Sequence, residues 1–208
     1  MPEGKYDQQV LKAAREHFSD FGFFGARIDT IASSARVNKR MVYEFCHTKD
    51  GLYMIALSDV SREAMERFQQ CLPSLQNARD IRGVYEIVLN LFDTLINFVR
   101  LLAWERMYMT IHGPRILETA NDIFERIRRI IEVKFPECNI SPSTFDAIEA
   151  LCHSYLLAVA MYSRKDDAEE GEDNLIENSK SVEESVVSAY TKDIVLDCIT
   201  KLLCQKSS

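Results

Sequence analysis

Glycine and proline are scarce in this chain, seven and five in 208 residues, and no stretch alternates apolar and polar residues as a half-buried strand would. Sheet-rich and loop-rich architectures are disfavoured, and an all-α fold is expected. No internal repeat is visible. No apolar run approaches the ~20 residues that span a bilayer, and the first residues lack the apolar core of a secretory signal. A cytoplasmic protein with no membrane partner is expected. The six cysteines, Cys46, Cys71, Cys138, Cys152, Cys198 and Cys204, include no C-x-x-C pair; most stand among apolar helical residues and are expected to be buried free thiols. The four histidines, His17, His47, His112 and His153, show no metal-ligand spacing, and there is no P-loop, G-x-G-x-x-G or G-x-S-x-G. No metal, cofactor or catalytic residue is expected, and nothing in the chain points to an enzyme.

Positive charge is also in short supply, with 25 Lys and Arg against 32 Asp and Glu, net -7. It is unevenly placed. Residues 1–53 hold eight cations against seven acids, and residues 27–49 hold five against two, while the rest of the chain carries the acidic excess. A focused patch is enough to bind a polyanion, because the phosphate attraction depends on local contacts more than on net charge.

Between Asp7 and Tyr53 three short helical patterns follow one another. Val10, Leu11, Ala14, Phe18 and Phe21 recur at helical spacing, with Gly22 as a stop. Ile28, Ile31, Ala32 and Ala35 make a shorter apolar face. Val42, Phe45 and Cys46 mark the inner side of a third helix, which Asn38 can cap. A longer helix bracing two short ones across a break at Arg36-Val37-Asn38 is the outline of a helix-turn-helix. Cations stand where helix dipoles favour anions: Arg27 at the start of the second helix, Lys39 and Arg40 opening the third, and Lys49 after Thr48 at the fourth. Each placement costs a few tenths of a kcal/mol up to ~1. Duplex phosphates at those ends would turn the cost into binding, since backbone N–H, dipole and cation then converge on one anion.

Lys39, Arg40, Tyr43 and His47 fall opposite the inner face of the third helix. Arg40 has the fork for a guanine edge, Tyr43 and Lys49 suit phosphates, and Glu44 either accepts from cytosine or repels misplaced backbone. Asn38 is a cap first and a DNA contact second. With Arg27 and Arg36 these residues make the expected double-stranded DNA interface, for which a solvated charged face is the plainer alternative.

The run Val10-Leu11-Lys12-Ala13-Ala14, then Phe18, Gly22-Phe23, Ile31-Ala32, Ala35-Arg36-Val37-Asn38-Lys39, Val42-Tyr43 and Lys49-Asp50-Gly51-Leu52 resembles the TetR family of bacterial transcriptional regulators. The resemblance covers about the first fifty residues. It implies a helix-turn-helix DNA-binding domain over residues 1–53 and a helical effector-binding and dimerisation domain over 54–208. It further implies a homodimeric, ligand-responsive regulator, foremost a repressor, whose third helix enters the major groove of a palindromic operator. Three residues depart from the family pattern. Arg36 stands where glycine is common, at a cost on the order of 1 kcal/mol if the turn is left-handed there. Cys46 replaces a usual Phe. Ala26 replaces a hydroxyl residue at the start of the second helix, removing a cap. These departures favour the alternative of a helical small-molecule-binding or interaction protein without specific DNA binding.

Beyond residue 50 helices are expected over 49–71, ending before Pro73, then over about 80–98, 101–111, 114–135, 143–163 and 182–204, about nine in all. The acidic stretch 165–185 is expected to be a loop. Aromatic and Met residues can line an adaptable pocket for an apolar or aromatic effector. The candidates are Phe92, Trp104, Met107, Tyr108, Phe124 and Tyr155, with Arg100, Glu105 and His153 as orienting polar groups; for Glu105 and Arg106 a solvent-facing position is the alternative. Plain core is the more common role for each such residue. Broad apolar stripes on the last two helices, with Phe145, Leu151, Leu156, Tyr190, Ile194, Ile199 and Leu202, exceed what one neighbouring helix covers and suit a four-helix interface with a second copy. Intramolecular core is the alternative.

Overall fold

Helices make up every regular element of the computed structural model, which describes residues 4–138, 140–162 and 192–203. In chain order they are α1 (Lys5–Gly25), α2 (Ile28–Ser34), α3 (Lys39–Cys46), α4 (Lys49–Asn77), α5 (Ile81–Asp93), α6 (Ile96–Tyr108), α7 (Pro114–Lys134), a 3-10 turn at Pro136–Cys138 and α8 (Pro142–Tyr162). Residues 192–203 form α9. The all-α expectation holds, with no strand among the described residues. The expected acidic loop over 165–185, the first turns of the last helix, Tyr190 and Cys204 lie outside the described residues.

Local rules set most helix ends. Asn38 caps α3 by accepting from Met41 N at 2.9 Å, Thr48 Oγ1 accepts from Gly51 N at 2.9 Å ahead of α4, and Asp80 caps α5 by accepting from Gly83 N at 2.7 Å. Several boundaries differ from expectation: α1 runs past Gly22 to Gly25, and α6 spans Ile96–Tyr108 where 101–111 was expected. Pro73 does not end α4, which runs on to Asn77. Leu75 is fully buried there and the Lys134 ammonium donates to the Gln76 carbonyl, so packing holds a turn that proline would loosen. The helix expected over 80–98 breaks at Thr94–Leu95, where the Thr94 hydroxyl takes the Leu91 carbonyl at 2.7 Å and competes with the helix ladder.

The chain forms two compact units. The first comprises Met1–Gln70 and Leu95–Ile123, the second Cys71–Thr94 and Phe124–Ser208. The expected 53/54 boundary falls within α4. In the first unit α1 packs on α6 as well as on α2 and α3, around the fully buried Phe18, Ile31, Val42, Leu52, Tyr53 and Leu101. Burying one such large side chain stabilises by about 1.5–3 kcal/mol. Arg15 on α1 reaches Asp59 at 2.9 Å and Glu63, both on α4, and Arg100 on α6 pairs with Asp20 on α1.

In the second unit Leu89, Phe92, Ile131, Ile148, Cys152 and Tyr155 are buried. The Tyr155 hydroxyl donates to Asp93 at 2.6 Å, and Lys192 of α9 pairs with the same carboxylate at 2.6 Å. The described cysteines are all free, but only Cys46 and Cys152 are buried, and Cys138 is exposed at the 3-10 turn. Burial pushes the Cys152 thiol up to about 12. Among the described residues no single helix is long and apolar enough to cross a membrane.

Candidate nucleic-acid interface

The connection between α2 and α3 is a Schellman turn. Val37 N–H donates to Ala32 O at 3.0 Å and Arg36 N–H to Ser33 O at 3.0 Å, while Arg36 takes φ +55°; this is the left-handed position that usually falls to glycine. The strain expected at Arg36 from sequence is therefore present. Arg36→Gly should raise the midpoint of chemical denaturation by the equivalent of about 1 kcal/mol. A midpoint unchanged or lowered would show that the turn carries no such strain.

Behind the turn, Ile28, Ile31, Ala32, Val42 and Cys46 are buried, so α3 has one fixed inner face. The Cys46 thiol donates to the Val42 carbonyl at 3.0 Å; the smaller residue stays inside the core, with Phe45 half-buried beside it. On the other side Lys39, Arg40, Tyr43, Glu44 and His47 are exposed. No acid occupies the first turn of α3, so dipole and cations add in sign. The helix stops in a tight γ-turn: His47 sits at φ 63°, ψ -42° and Thr48 N–H donates to Cys46 O at 2.7 Å. The Cys46 carbonyl is thereby brought against Gly51, where a Cβ would lie 2.3 Å away. Only glycine fits at that contact.

The cations of this surface are not all bare. Lys39 pairs with Asp29 of α2 at 2.8 Å and Arg40 with Glu44 one turn on at 2.8 Å. Lys49 is half-buried with its ammonium 5.0 Å from the centre of the Phe23 ring, and burial lowers its pKa from the ordinary lysine value. Arg27 is exposed and is itself the N-cap of α2, with no side-chain cap bond. That corrects the expectation for Ala26, which is buried ahead of the cap and is not itself the capping position.

The expected effector-site residues are divided between the two units. Phe92 stacks on Phe124 at 5.8 Å and Phe124 meets His153 edge-on at 4.8 Å, within the second unit, to which the buried Tyr155 also belongs. Arg100, Trp104, Met107 and Tyr108 belong to the first unit. There Trp104 stacks on Tyr108 at 5.5 Å and donates its indole N–H to Ser19 O at 2.9 Å, while Met107 and Tyr108 are more than half exposed. An open groove of about 630 Å³ in the first unit is lined by Met54, Met65, Ile111, His112, Arg115 and Glu118 among others. None of the candidates lines it.

Of the stripe residues expected at an interface between copies, Phe145, Leu156 and Ile199 are buried within their own chain. Leu151 and Leu202 are half-buried and Ile194 is 46% exposed. The first three fill intramolecular core, which leaves a narrower apolar surface.

Glu105 is a correction. Its side chain, read from sequence either as orienting a ligand or as facing solvent, is fully buried. It accepts from the Tyr53 hydroxyl and from Thr110 Oγ1 at 2.7 Å. Burial first, then the Glu105 carboxylate, raises the Tyr53 phenol above its ordinary range, so it remains a donor. The signal was available in the spacing, because Phe98, Leu101, Leu102 and Glu105 share one helical face.

No protein-family model matches the chain. It is 30% identical over 114 residues to the HTH-type transcriptional repressor NicS of Pseudomonas putida, covering 51% of this chain and 50% of that protein. It is 32% identical over 111 residues to an HTH-type transcriptional repressor of Streptomyces coelicolor, covering 53% of this chain and 55% of the other. The chain thus spans about half the length of the curated relatives it matches. Its fold is similar to that of a TetR-like transcriptional regulator from Rhodococcus sp. RHA1, at 20% identity and a TM-score of 0.67, over 99% of this chain and all of that one.

Proposed function

We infer, from a fold shared with a TetR-like regulator and sequence similarity to two repressors, that this chain is a DNA-binding transcriptional regulator of the repressor kind. The observation that carries the inference is the outer face of α3. Lys39, Arg40, Tyr43 and His47 are exposed together on a helix whose first turn carries no acid. The helix is held at a fixed angle by a Schellman turn before it and a γ-turn after it. In this role α3 enters the major groove, Arg40 meets a guanine edge, and Arg27, Arg36, Asn38, Tyr43 and Lys49 stand on phosphates. Lys49 would first leave the Phe23 ring.

One short helix reads too few bases for selective binding, so the working form is a homodimer on an inverted repeat. Leu151, Ile194 and Leu202, with exposed Leu157, are the apolar surface left for a second copy. A small apolar or aromatic effector binding below the reader would release the operator by favouring a dimer whose recognition helices no longer match the ~34 Å turn of DNA. No catalytic step is assigned.

A second reading, a helical binding protein without specific DNA affinity, is favoured by the engagement of Lys39, Arg40 and Lys49 within the chain. Selection of randomised duplexes by the purified protein separates the two. The regulator enriches an inverted repeat, and Arg40→Ala weakens binding to it by about 1–3 kcal/mol. Absence of any enriched sequence would favour the second reading.

A further inference from the structure

We propose that Asp29 and Glu44 are specificity-determining residues of the DNA reader, carboxylates that hold Lys39 and Arg40 in the unbound protein and so weaken binding to random duplex more than binding to the operator. The proposal rests on the DNA-binding reading above.

Its observations are two ion pairs on one exposed surface. Lys39 Nζ lies 2.8 Å from Asp29 Oδ1, and Arg40 Nε lies 2.8 Å from Glu44 Oε1. Both carboxylate side chains are 60% exposed, so neither pair is required by the core, and pairs this exposed contribute little to folding. Their consequence falls on whatever approaches the surface. Asp29 raises the pKa of Lys39 and Lys39 lowers that of Asp29 through their hydrogen bond, the signature of an ammonium already satisfied within the chain.

A non-specific complex gains its affinity from neutralised phosphates and released counterions. Lys39 and Arg40 each bring a carboxylate with them, within a Debye length of the same phosphates. The gain shrinks, and nothing in random sequence compensates. At the operator the balance differs. Arg40 can exchange Glu44 for a guanine edge, and Glu44, one turn further along the same outer face, can accept from the amino group of a cytosine nearby. Glu44 then becomes a base contact, and its repulsion toward phosphate is offset. The carboxylates thus widen the gap between right and wrong sequences.

The experiment compares the full chain with the Asp29→Asn, Glu44→Gln double variant on the selected duplex and on a random duplex of equal length, each across a salt series. Lys39→Ala and Arg40→Ala serve as controls. The double variant should bind random duplex about tenfold more tightly, with a salt slope steeper by about one to two, and its preference for the selected duplex should fall. Thermal unfolding of the variant should stay close to that of the parent, which separates this effect from damage to the fold. Equal changes on both duplexes, or no change on random duplex, would overturn the proposal while leaving the regulator intact. A parent chain that selects no duplex at all would overturn the DNA-binding reading, and this proposal with it.

Discussion

Gly22→Ala should lower stability by about 3 kcal/mol, combining a backbone conformation closed to side chains with overlap against a packed ring. Gly22 interrupts α1 at φ 65°, ψ -177°, a region that is essentially glycine's alone. A Cβ there would sit 2.8 Å from Trp104 Cδ2, and Trp104 is not free to yield, because its indole N–H is bonded to Ser19 O at 2.9 Å. Trp104 is also the only tryptophan in the chain, so its fluorescence in a urea titration reports on the altered contact directly. Gly83→Ala is the control: its Cβ would meet Asp80 Oδ1 at 3.4 Å and Ala78 Cβ at 3.9 Å, both ordinary contacts, and in a helix the change should be neutral or slightly stabilising. A loss under ~1 kcal/mol for Gly22→Ala would mean that α1 can straighten, and that the break is not imposed by the ring.

Glu105→Ala is expected to cost about 3 kcal/mol, since it strands the buried Tyr53 hydroxyl and the half-buried Thr110 hydroxyl and leaves a cavity. The donors left without an acceptor are Tyr53 Oη and Thr110 Oγ1, the first on α4 and the second in the turn leading to α7. Glu105→Gln keeps the volume and one carbonyl acceptor, so it should cost less than half as much. Reversal of that order in denaturation midpoints would show that the carboxylate is a burden on the fold, as buried charges sometimes are. The same substitution bears on function, because Tyr53 lies one helical turn beyond Lys49 and Asp50, and Asp50 is itself held by His112 at 2.9 Å. In the regulator reading, loosening this junction should weaken operator binding even for Glu105→Gln, with the residues of α3 untouched.

The outline of the first fifty residues was legible because it depends on neighbours in sequence. Asn38 as the cap of α3, the inward Val42 and Cys46, and the outward Lys39, Arg40, Tyr43 and His47 all follow from spacing on one helix. Pro73 misled for the opposite reason. Its local preference to end a helix was overridden by the burial of Leu75 and by Lys134, a residue far along the chain. The stripe of Phe145, Leu156 and Ile199 announced burial correctly but could not say against what, since an apolar face looks the same whether its own chain or a second copy covers it.

The sequence by itself determined the helical class, the break and caps that set α3 apart, and the placement of cations at helix starts, because spacing, capping and dipole act over a single turn. Only the tertiary structure decided what those cations meet. It set Asp29 against Lys39 and the Phe23 ring beneath Lys49, enclosed Glu105 between two hydroxyls, and divided Trp104 and Phe92 between separate units. Such contacts join residues distant in sequence, and no local periodicity encodes which of many equivalent apolar or charged groups will become the partner.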